Sequence, residues 1–308
     1  MIPLAAPAPF EPRATRGGTV PALLAMLDAA DQKLSDGDLV VLTSKIVGLL
    51  EGYAVRLDDV VPSRKARRLG RLLRRDPRKL ELVLREGKVR FVVPMDRISR
   101  IPSVWGRASR LAPRPTDARR GYDTTNRSTL MIWKHGAFLD EGGIDFANVS
   151  PGYVGILPPD LCATARDIRR EVRDQTGRTV AVVITDTITP FGRFGSQDIA
   201  LGYAGIAPVA HRLFDVDLFG LPRSGGANIV IDSVAAFSGL IMGQKTELTP
   251  ALVVRGLDCA AAGPDDATSI DDVAMPADAG FRIGWHVVMA TVWFRLASLL
   301  TFSRQPRP

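Results

Sequence analysis

Apolar residues recur along the chain at two spacings, one typical of helices and the other of buried strands. Residues 19–30 and 161–176 carry apolar side chains three or four positions apart, which predicts two amphipathic helices. Short runs at 39–42 and 179–185, apolar except for the two threonines that bound the second, predict two buried strands. Because strands and helices alternate irregularly, the pattern predicts an α/β fold (mixed α+β) without internal repeats.

Weaker patterns add further elements between these. Ser63 precedes a helical segment, and serine is a favoured N-cap. The dipeptide at 76–77, Asp-Pro, ends that helix, and a second short helix follows it. Further strands are predicted at residues 89–93, 130–133, 227–231 and 251–255, and a further helix at 235–240. The segment 94–129 combines prolines, arginines and a polar run, which predicts a loop.

The apolar segment 284–302 has about the length of a helix that spans a bilayer. Arg295 lies near its middle, where a charge costs roughly 2.5–3.5 kcal/mol on insertion scales. We therefore expect a terminal helix that is buried or packs against a partner subunit. Membrane contact, as a span or as a surface anchor assisted by Arg304 and Arg307, is the less favoured alternative.

The composition is that of a globular protein. Hydrophobic residues make up 46% and charged residues 24% of the 308 residues, which is too apolar for a disordered chain. The two cysteines in the sequence, Cys162 and Cys259, are too few for a disulfide scaffold or a four-cysteine zinc site. The first residues do not combine a basic stretch with a following apolar one, so we expect a cytoplasmic protein.

Positive charge is concentrated in one predicted helix. The chain has 40 Lys and Arg against 33 Asp and Glu, a net charge of +7, and seven of these cations lie within residues 64–75. The segment has no interleaved aromatic residues and no known nucleic-acid motif. We expect a solvated helix face that attracts small anions, and nucleic-acid binding is not favoured.

The strongest candidate for chemistry follows the most apolar strand. Asp186 and Thr187 end this strand before a glycine-containing loop, a position where α/β proteins place ligand-binding groups. A second loop carries Asp145 after two glycines. Carboxylate and hydroxyl oxygens suit Mg²⁺ or Mn²⁺, so the two aspartates could share one ion. The alternative is that each aspartate only caps a turn.

Other loops carry side chains that can bind phosphate. Arg193 lies between two glycines that allow a phosphate to approach closely. Ser44 and Lys45 follow the first buried strand, and Asn148 can hydrogen-bond a phosphate or a base. His135 is a candidate general base, with a structural histidine as the alternative. A similar polar turn contains Met242, Gly243, Gln244 and Lys245. These loops match neither the P-loop nor the dinucleotide fingerprint.

Ten stretches of the chain, taken in order, resemble the coenzyme F420-0:L-glutamate ligase family. They cover most of residues 17–257, and the collinear set is more specific than any one motif. They are GDLVVLTSKIVGLLEG (37–52), PSRKARRL (62–69), DPRKLELVLRE (76–86), GGIDFANV (142–149), LPPD (157–160), VVITDT (182–187), GRFGSQDIALGYAG (192–205), LFGLP (218–222), AAFSGLIMGQ (235–244) and VVRGL (253–257).

The resemblance implies a two-lobed fold of mixed sheets and helices, an intertwined homodimer and a metal-dependent ligase. In that family the terminal phosphate of GTP activates the lactyl carboxylate of F420-0 as an acyl phosphate. The amine of L-glutamate then attacks it to form an amide. The expected co-substrate is thus GTP (or ATP), the expected metal is Mn²⁺ or Mg²⁺, and the expected partners are L-glutamate and an anionic acceptor resembling F420-0.

The family's site residues map onto positions already singled out. The metal ligands fall on Asp145, Asp186 and Thr187. Asp186 is also expected to be catalytic, together with Arg193 as a phosphate clamp. The nucleotide-binding residues fall on Ser44, Lys45, Asn148, Met242, Gly243, Gln244 and Lys245.

Several positions depart from the family pattern. Leu49 stands where the family has a lysine that can bind phosphate, and Gln244 stands where it has a glutamate that can bind metal. Glu141 is a candidate to supply the missing carboxylate. These departures point to a different acceptor or phosphate donor, or to lost ligase activity. Residues 94–129 resemble an insertion in a ligase-like domain at 1–257, and 258–308 forms a C-terminal extension.

Overall fold

The computed structural model describes residues 1–114, 116–117, 128–190, 193–210, 214, 216–222, 227–257, 269–276 and 279–301. Helices and mixed sheets fill these ranges, which confirms the predicted α/β class. The strands are β1 (Ile2–Leu4), β2 (Leu39–Thr43), β3 (Ala54–Arg56), β4 (Val89–Val93), β5 (Thr129–Lys134), β6 (Ala137–Asp140), β7 (Tyr153–Gly155), β8 (Ala181–Ile188), β9 (Gln197–Ala204) and β10 (Ala251–Val254). The helices are α1 (Thr19–Ala29), α2 (Ser44–Leu50), α3 (Arg64–Leu73), α4 (Pro77–Glu86), α5 (Met95–Ile98), α6 (Pro102–Leu111), α7 (Leu161–Thr176), α8 (Val230–Met242) and α9 (Ala279–Thr301).

A five-stranded sheet forms the centre of the molecule, in the order β1-β10-β2-β8-β9. Strands β2 and β8 run parallel, and the other three pairs are antiparallel. Successive side chains of a strand point to opposite faces. Accordingly Val40 and Ile184 pack with α1, α2 and α7, whereas Val41 and Val183 pack with α8. Helices therefore bury both faces of the sheet, which explains why β2 and β8 read as unbroken apolar runs.

A second hydrophobic cluster joins α3 and α4 to the smaller sheets β4-β5-β6 and β3-β7. Leu80 and Val83 of α4 pack there against Leu130 and Ile132 of β5. The predicted N-cap is confirmed, because the Ser63 hydroxyl accepts a hydrogen bond of 3.1 Å from the Ala66 N–H. Side-chain capping thus fixes where the basic helix α3 begins.

Three predictions of secondary structure are wrong in part. The segment 94–129 is not only a loop, since α5 and α6 occupy residues 95–98 and 102–111; residues 115 and 118–127 lie outside the described ranges. The predicted strand 227–231 is limited to a bridge between Ile229 and Val209, because α8 begins at Val230. The predicted loop 186–198 belongs largely to the β8–β9 hairpin, in which Thr187 lies opposite Asp198.

The apolar C-terminal segment forms α9, which begins five residues before the predicted position. Within the described ranges, no helix combines the length and the hydropathy that crossing a bilayer requires. The segment before α9 packs on the body of the protein: Ile270 and Val273 join the core beneath α8, and the Tyr203 hydroxyl donates a 2.8 Å hydrogen bond to Asp272.

His135 occupies the tight turn between β5 and β6. His135 and Gly136 have positive φ angles of 49° and 73°, as a two-residue type I′ hairpin turn requires. Burial lowers the pKa of His135 to about 4, so the imidazole is neutral at pH 7. The imidazole does not line the cavity described below. This favours a structural role for His135 over a role as general base.

His135 gives a testable dependence of stability on pH. Its folded-state pKa lies below its unfolded value of 6.5, so the unfolded chain binds more protons between pH 6.5 and 4. The free energy of unfolding should therefore fall as the pH falls through this window, by roughly 3 kcal/mol at most from this group. His135→Asn, which tolerates the left-handed backbone, should lose this share of the slope in urea titrations. Identical slopes for wild type and variant would refute this explanation.

Candidate active site

A cavity of about 840 Å³ opens at the carboxyl ends of β2 and β8. These strands pair in parallel with Thr43 beside Thr185, so the residues that follow each strand meet at one edge of the sheet. Ser44 and Lys45 thereby come next to Asp186. The loops 143–151 and 242–250 and the N-terminal segment 6–11 supply the other walls.

Asp145 enters the cavity from a rigid backbone bridge. Its N–H donates to the Gly155 carbonyl at 2.9 Å, and its own carbonyl accepts from the Gly155 N–H at 3.0 Å. The Asp145 carboxylate lies 3.4 Å from the Lys45 ammonium group. Burial raises the pKa of this carboxyl, and the Lys45 charge opposes that shift.

Asp186 lines the same cavity as Asp145, as the metal hypothesis requires. Burial and the negative charge of Asp145 raise the pKa of Asp186 to about 7, against hydrogen bonds from the Thr187 N–H and the Ser44 side chain. Two partly buried acids that repel one another are costly unless a cation lies close to them.

The oxygen donors of this pair fit Mg²⁺ or Mn²⁺. Mg²⁺ commonly binds one or two carboxylates and takes its remaining ligands from water and substrate phosphates. Asp145, Asp186 and the Thr187 hydroxyl match that pattern. The described ranges hold no cluster of three or more acidic, histidine or cysteine ligands. A metal here would therefore depend on phosphate or water oxygens to complete its shell.

Asp198 is a cavity residue that the sequence analysis did not single out. Its Oδ1 accepts hydrogen bonds from the Thr187 hydroxyl at 2.7 Å and from the Gln244 amide at 3.1 Å. Its Oδ2 lies where a Cβ on Gly239 would approach to 2.6 Å, so glycine is needed there. Asp198 thus holds one expected metal ligand and one expected nucleotide contact in place. Recognising β9 as a strand would have revealed it, because Asp198 faces Thr187 across the hairpin.

The loop after α8 brings Met242, Gly243, Gln244 and Lys245 into the cavity wall. Gly243 has a φ of 69°, and a Cβ there would lie 2.4 Å from the Glu247 carboxyl carbon. The Asn148 amide donates to the Lys245 carbonyl at 2.9 Å, which ties the two expected nucleotide-binding loops together. Asn148 therefore orders the cavity wall through its side-chain amide.

Two candidates from the sequence lie elsewhere. Arg193 is exposed in the loop between β8 and β9 and is not among the residues that line the cavity. Glu141 does not supply a cavity carboxylate, and that expectation is wrong. It is buried in an ion pair with Arg75 and accepts a 3.0 Å hydrogen bond from the Leu130 N–H.

Negative charge dominates the cavity. Two lysines, Lys45 and Lys245, line it, and Leu49 lies in the wall where the resembling family has a lysine. The carboxylates number six: Glu11, Asp140, Asp145, Asp186, Asp198 and Glu247. A polyphosphate would be repelled from this surface unless divalent cations accompanied it.

Comparison with known proteins indicates the family to which the protein with this cavity belongs. A family model described as F420-0:Gamma-glutamyl ligase matches residues 19–256, which is most of the chain. The chain belongs to this family. Coenzyme F420:L-glutamate ligase of Methanopyrus kandleri is 32% identical over 251 residues, covering 82% of this chain and 86% of the relative. The protein of the same name from Methanothermobacter thermautotrophicus is 30% identical over 234 residues, covering 76% and 81%.

Membership in the F420-0:gamma-glutamyl ligase family makes this chain a ligase enzyme, as the resemblance implied. The family match contains every residue that the sequence analysis assigned to the site, from Ser44 to Lys245. It ends at residue 256, before α9 begins. The residues assigned to the site therefore all lie in the part of the chain that matches the family, whereas α9 lies outside it.

Proposed function

We propose that this protein joins L-glutamate to an anionic acid acceptor resembling F420-0, in a reaction that consumes GTP or ATP and needs Mn²⁺ or Mg²⁺. The observation that carries the proposal is the shared cavity of Asp145 and Asp186 in a member of a glutamate ligase family. The excess of carboxylates in the cavity supports the metal requirement, since a nucleotide could not otherwise approach.

The polar residues proposed to bind metal and phosphate each have a separate role. Asp145, Asp186 and the Thr187 hydroxyl would hold the metal, which when bound would offset phosphate charge. Lys45 and Lys245 orient the phosphates as point charges, and Ser44 contributes a hydroxyl. Asp198 holds the Thr187 hydroxyl and the Gln244 amide through hydrogen bonds. Arg193 needs a movement of its loop to reach a phosphate.

The proposed reaction balances in two steps. A carboxylate oxygen of the acceptor attacks the terminal phosphorus, and the nucleoside diphosphate leaves. The glutamate amine then attacks the acyl carbon, phosphate leaves and the nitrogen loses a proton, which gives an amide. The cavity contributes mainly positioning and charge stabilisation, the usual sources of catalysis in phosphoryl transfer.

Mass spectrometry of the products tests this proposal. Incubation with F420-0, L-glutamate, GTP and Mn²⁺ should yield the acceptor carrying one or more added glutamyl units, together with GDP and phosphate. Asp145→Asn protein should give no product. Nucleotide consumption without glutamylated F420-0 would instead support a different acceptor or amine. Tight nucleotide binding without turnover would support a non-catalytic binder of nucleotide or deazaflavin.

The presence of Leu49 favours the non-catalytic alternative, in which the protein binds nucleotide without turning it over. It lies buried in the cavity wall at the end of α2, where a lysine could reach a phosphate. Leu49→Lys should tighten nucleotide binding by about tenfold, since a hydrogen bond to a charged group contributes roughly 1.5 kcal/mol. Leu49→Met, which keeps the size without the charge, is the matched control. Equal nucleotide affinity of both folded variants in calorimetry would argue against a phosphate subsite at this position.

The quaternary structure and domain limits are further parts of the proposal. We propose a homodimer, with residues 1–257 as the ligase domain and 258–308 as its extension. Sedimentation velocity of the full chain would measure the oligomeric state. A monomer that turns over at the full rate would refute the dimer without touching the assignment of the cavity.

A further inference from the structure

The N-terminal segment 6–13 (the strap) forms one side of the cavity that the proposed function uses. Four residues of the strap line this cavity: Ala6, Pro9, Phe10 and Glu11. The strap precedes residues 19–256, which match the family model, so that match gives the strap no role. The metal and phosphate sites proposed above also draw on other residues, which leaves this side of the cavity unassigned.

Hydrogen bonds tie the strap to both of the loops that line the cavity. The Ala6 N–H donates to the carbonyl of Leu248, in the loop after α8, at 2.7 Å. The Ser150 hydroxyl, in the loop that carries Asp145, donates to a carboxylate oxygen of Glu11 at 2.8 Å. The strap therefore runs from one of these loops to the other along the edge of the cavity.

The chain is also fixed on either side of these contacts. Before the strap, β1 pairs with β10 in the central sheet, where Ile2 lies opposite Val253. At the other end of the strap, the Arg13 N–H donates to the Leu49 carbonyl of α2 at 3.0 Å. A segment held at both ends presents its side chains in a defined position, which lowers the entropy that is lost when a ligand binds.

Phe10 is the strap residue best suited to bind a ligand. Its side chain is half-buried and packs against the main hydrophobic core, which fixes the ring at the cavity. Among the described residues that line the cavity, Phe10 alone is aromatic. Aromatic side chains stack on planar heteroaromatic rings, and such stacking tolerates different ring systems because each has a π face.

Both large substrates of the proposed reaction contain a planar ring system for which the site described so far offers no aromatic partner. The nucleotide carries a purine base, and an acceptor resembling F420-0 carries a deazaflavin. The aspartates, lysines and hydroxyls of the site are proposed to bind the metal and the phosphates. A flat ring needs an apolar surface instead, and the strap provides an aromatic one.

We propose that Phe10 stacks on the planar heteroaromatic ring of one of these substrates, and that the strap is thereby a specificity-determining part of the site. This inference rests on the proposed function, because that function supplies the ligands. The ligand ring leaves water as it stacks. Removing the Phe10 ring should therefore weaken binding of that substrate without changing how the metal or the phosphates are held.

Calorimetric titration of the full chain with three probes tests the proposal: GTP with Mn²⁺, tripolyphosphate with Mn²⁺, and F420-0. Phe10→Leu, which keeps an apolar side chain but removes the ring, should weaken binding of either GTP or F420-0 by about tenfold. Weaker GTP binding would identify the base as the stacked ring, and weaker F420-0 binding would identify the deazaflavin. Tripolyphosphate has no ring, so its affinity should not change.

Two further variants separate stacking from packing. Phe10→Tyr keeps a planar ring and should bind all three probes like the wild type. Phe91→Leu is the matched control and should also bind like the wild type, since Phe91 is 45% exposed on β4 and does not line the cavity.

Three results would overturn the stacking: unchanged binding in folded Phe10→Leu protein, equal losses in Phe10→Leu and Phe10→Tyr, or equal weakening of GTP and F420-0 binding. If the wild type still forms glutamylated F420-0 in such a case, the proposed function stands without this inference. A wild type that forms no product and binds neither GTP nor F420-0 would overturn both.

Discussion

Asp186→Asn should lower metal-dependent nucleotide turnover by about 10³-fold, because it would remove a charged ligand from the proposed metal site, where phosphate charge would be stabilised. The same change should leave the melting temperature of the metal-free protein unchanged or higher. The reason is the burial of Asp186 near Asp145, which makes its negative charge costly in the folded state. Lost turnover combined with retained or improved stability is typical of a residue kept for function.

A matched variant makes this result specific. Asp140 lines the same cavity, and burial raises its pKa too, but it lies outside the proposed ligand set. Asp140→Asn should therefore keep turnover close to that of the wild type. Steady-state GDP release with Mn²⁺ and thermal unfolding of the metal-free proteins measure the two properties. Equal turnover in Asp186→Asn and wild type would rule out the proposed site.

Arg75→Met should destabilise the protein by about 3–5 kcal/mol, the usual cost of leaving one partner of a buried ion pair uncompensated. The side chains of Arg75 and Glu141 are 3% and 8% exposed. Arg75 donates a second hydrogen bond to Glu141 at 3.1 Å and reaches the Ser128 carbonyl at 3.4 Å. Without Arg75, the Glu141 charge would remain buried beside the Leu130 N–H.

The double variant Arg75→Met/Glu141→Gln distinguishes charge from packing. Glutamine removes the unpaired charge and can still accept the Leu130 N–H hydrogen bond. Urea unfolding should therefore show that the double variant recovers much of the stability lost in the single variant. Equal destabilisation of both variants would indicate that packing, rather than the buried charge, dominates.

The sequence predicted the elements whose signals are local. The strands around Val40 and Val183 are buried on both faces, so their apolar runs are unbroken. The N-cap Ser63 acts within its own turn. The short strands β3 and β7 were not predicted, because a three-residue strand depends on its partner more than on its own pattern. The region 227–231 reads as a strand by composition, but α8 begins within it.

Site residues that follow a recognisable strand were predicted from the sequence. Site residues that depend on contacts between distant parts of the chain were missed. Asp186 follows a strand that is recognisable from sequence alone, and the parallel pairing of β2 with β8 brings Lys45 to it. Asp198 required knowledge of the β8–β9 hairpin, and Glu141 required knowledge of its partner Arg75, which lies 66 positions away. Contacts between residues so far apart in sequence leave no local pattern.

We propose above all that Asp145 and Asp186 together hold a divalent cation that carries the polyphosphate. Electron paramagnetic resonance of bound Mn²⁺ with GTP labelled with ¹⁷O on its terminal phosphate tests this most directly. We expect the label to broaden the Mn²⁺ signal of the wild type, and Asp145→Asn and Asp186→Asn each to weaken Mn²⁺ binding greatly. Undiminished Mn²⁺ binding in both variants, or a signal insensitive to the label, would contradict it.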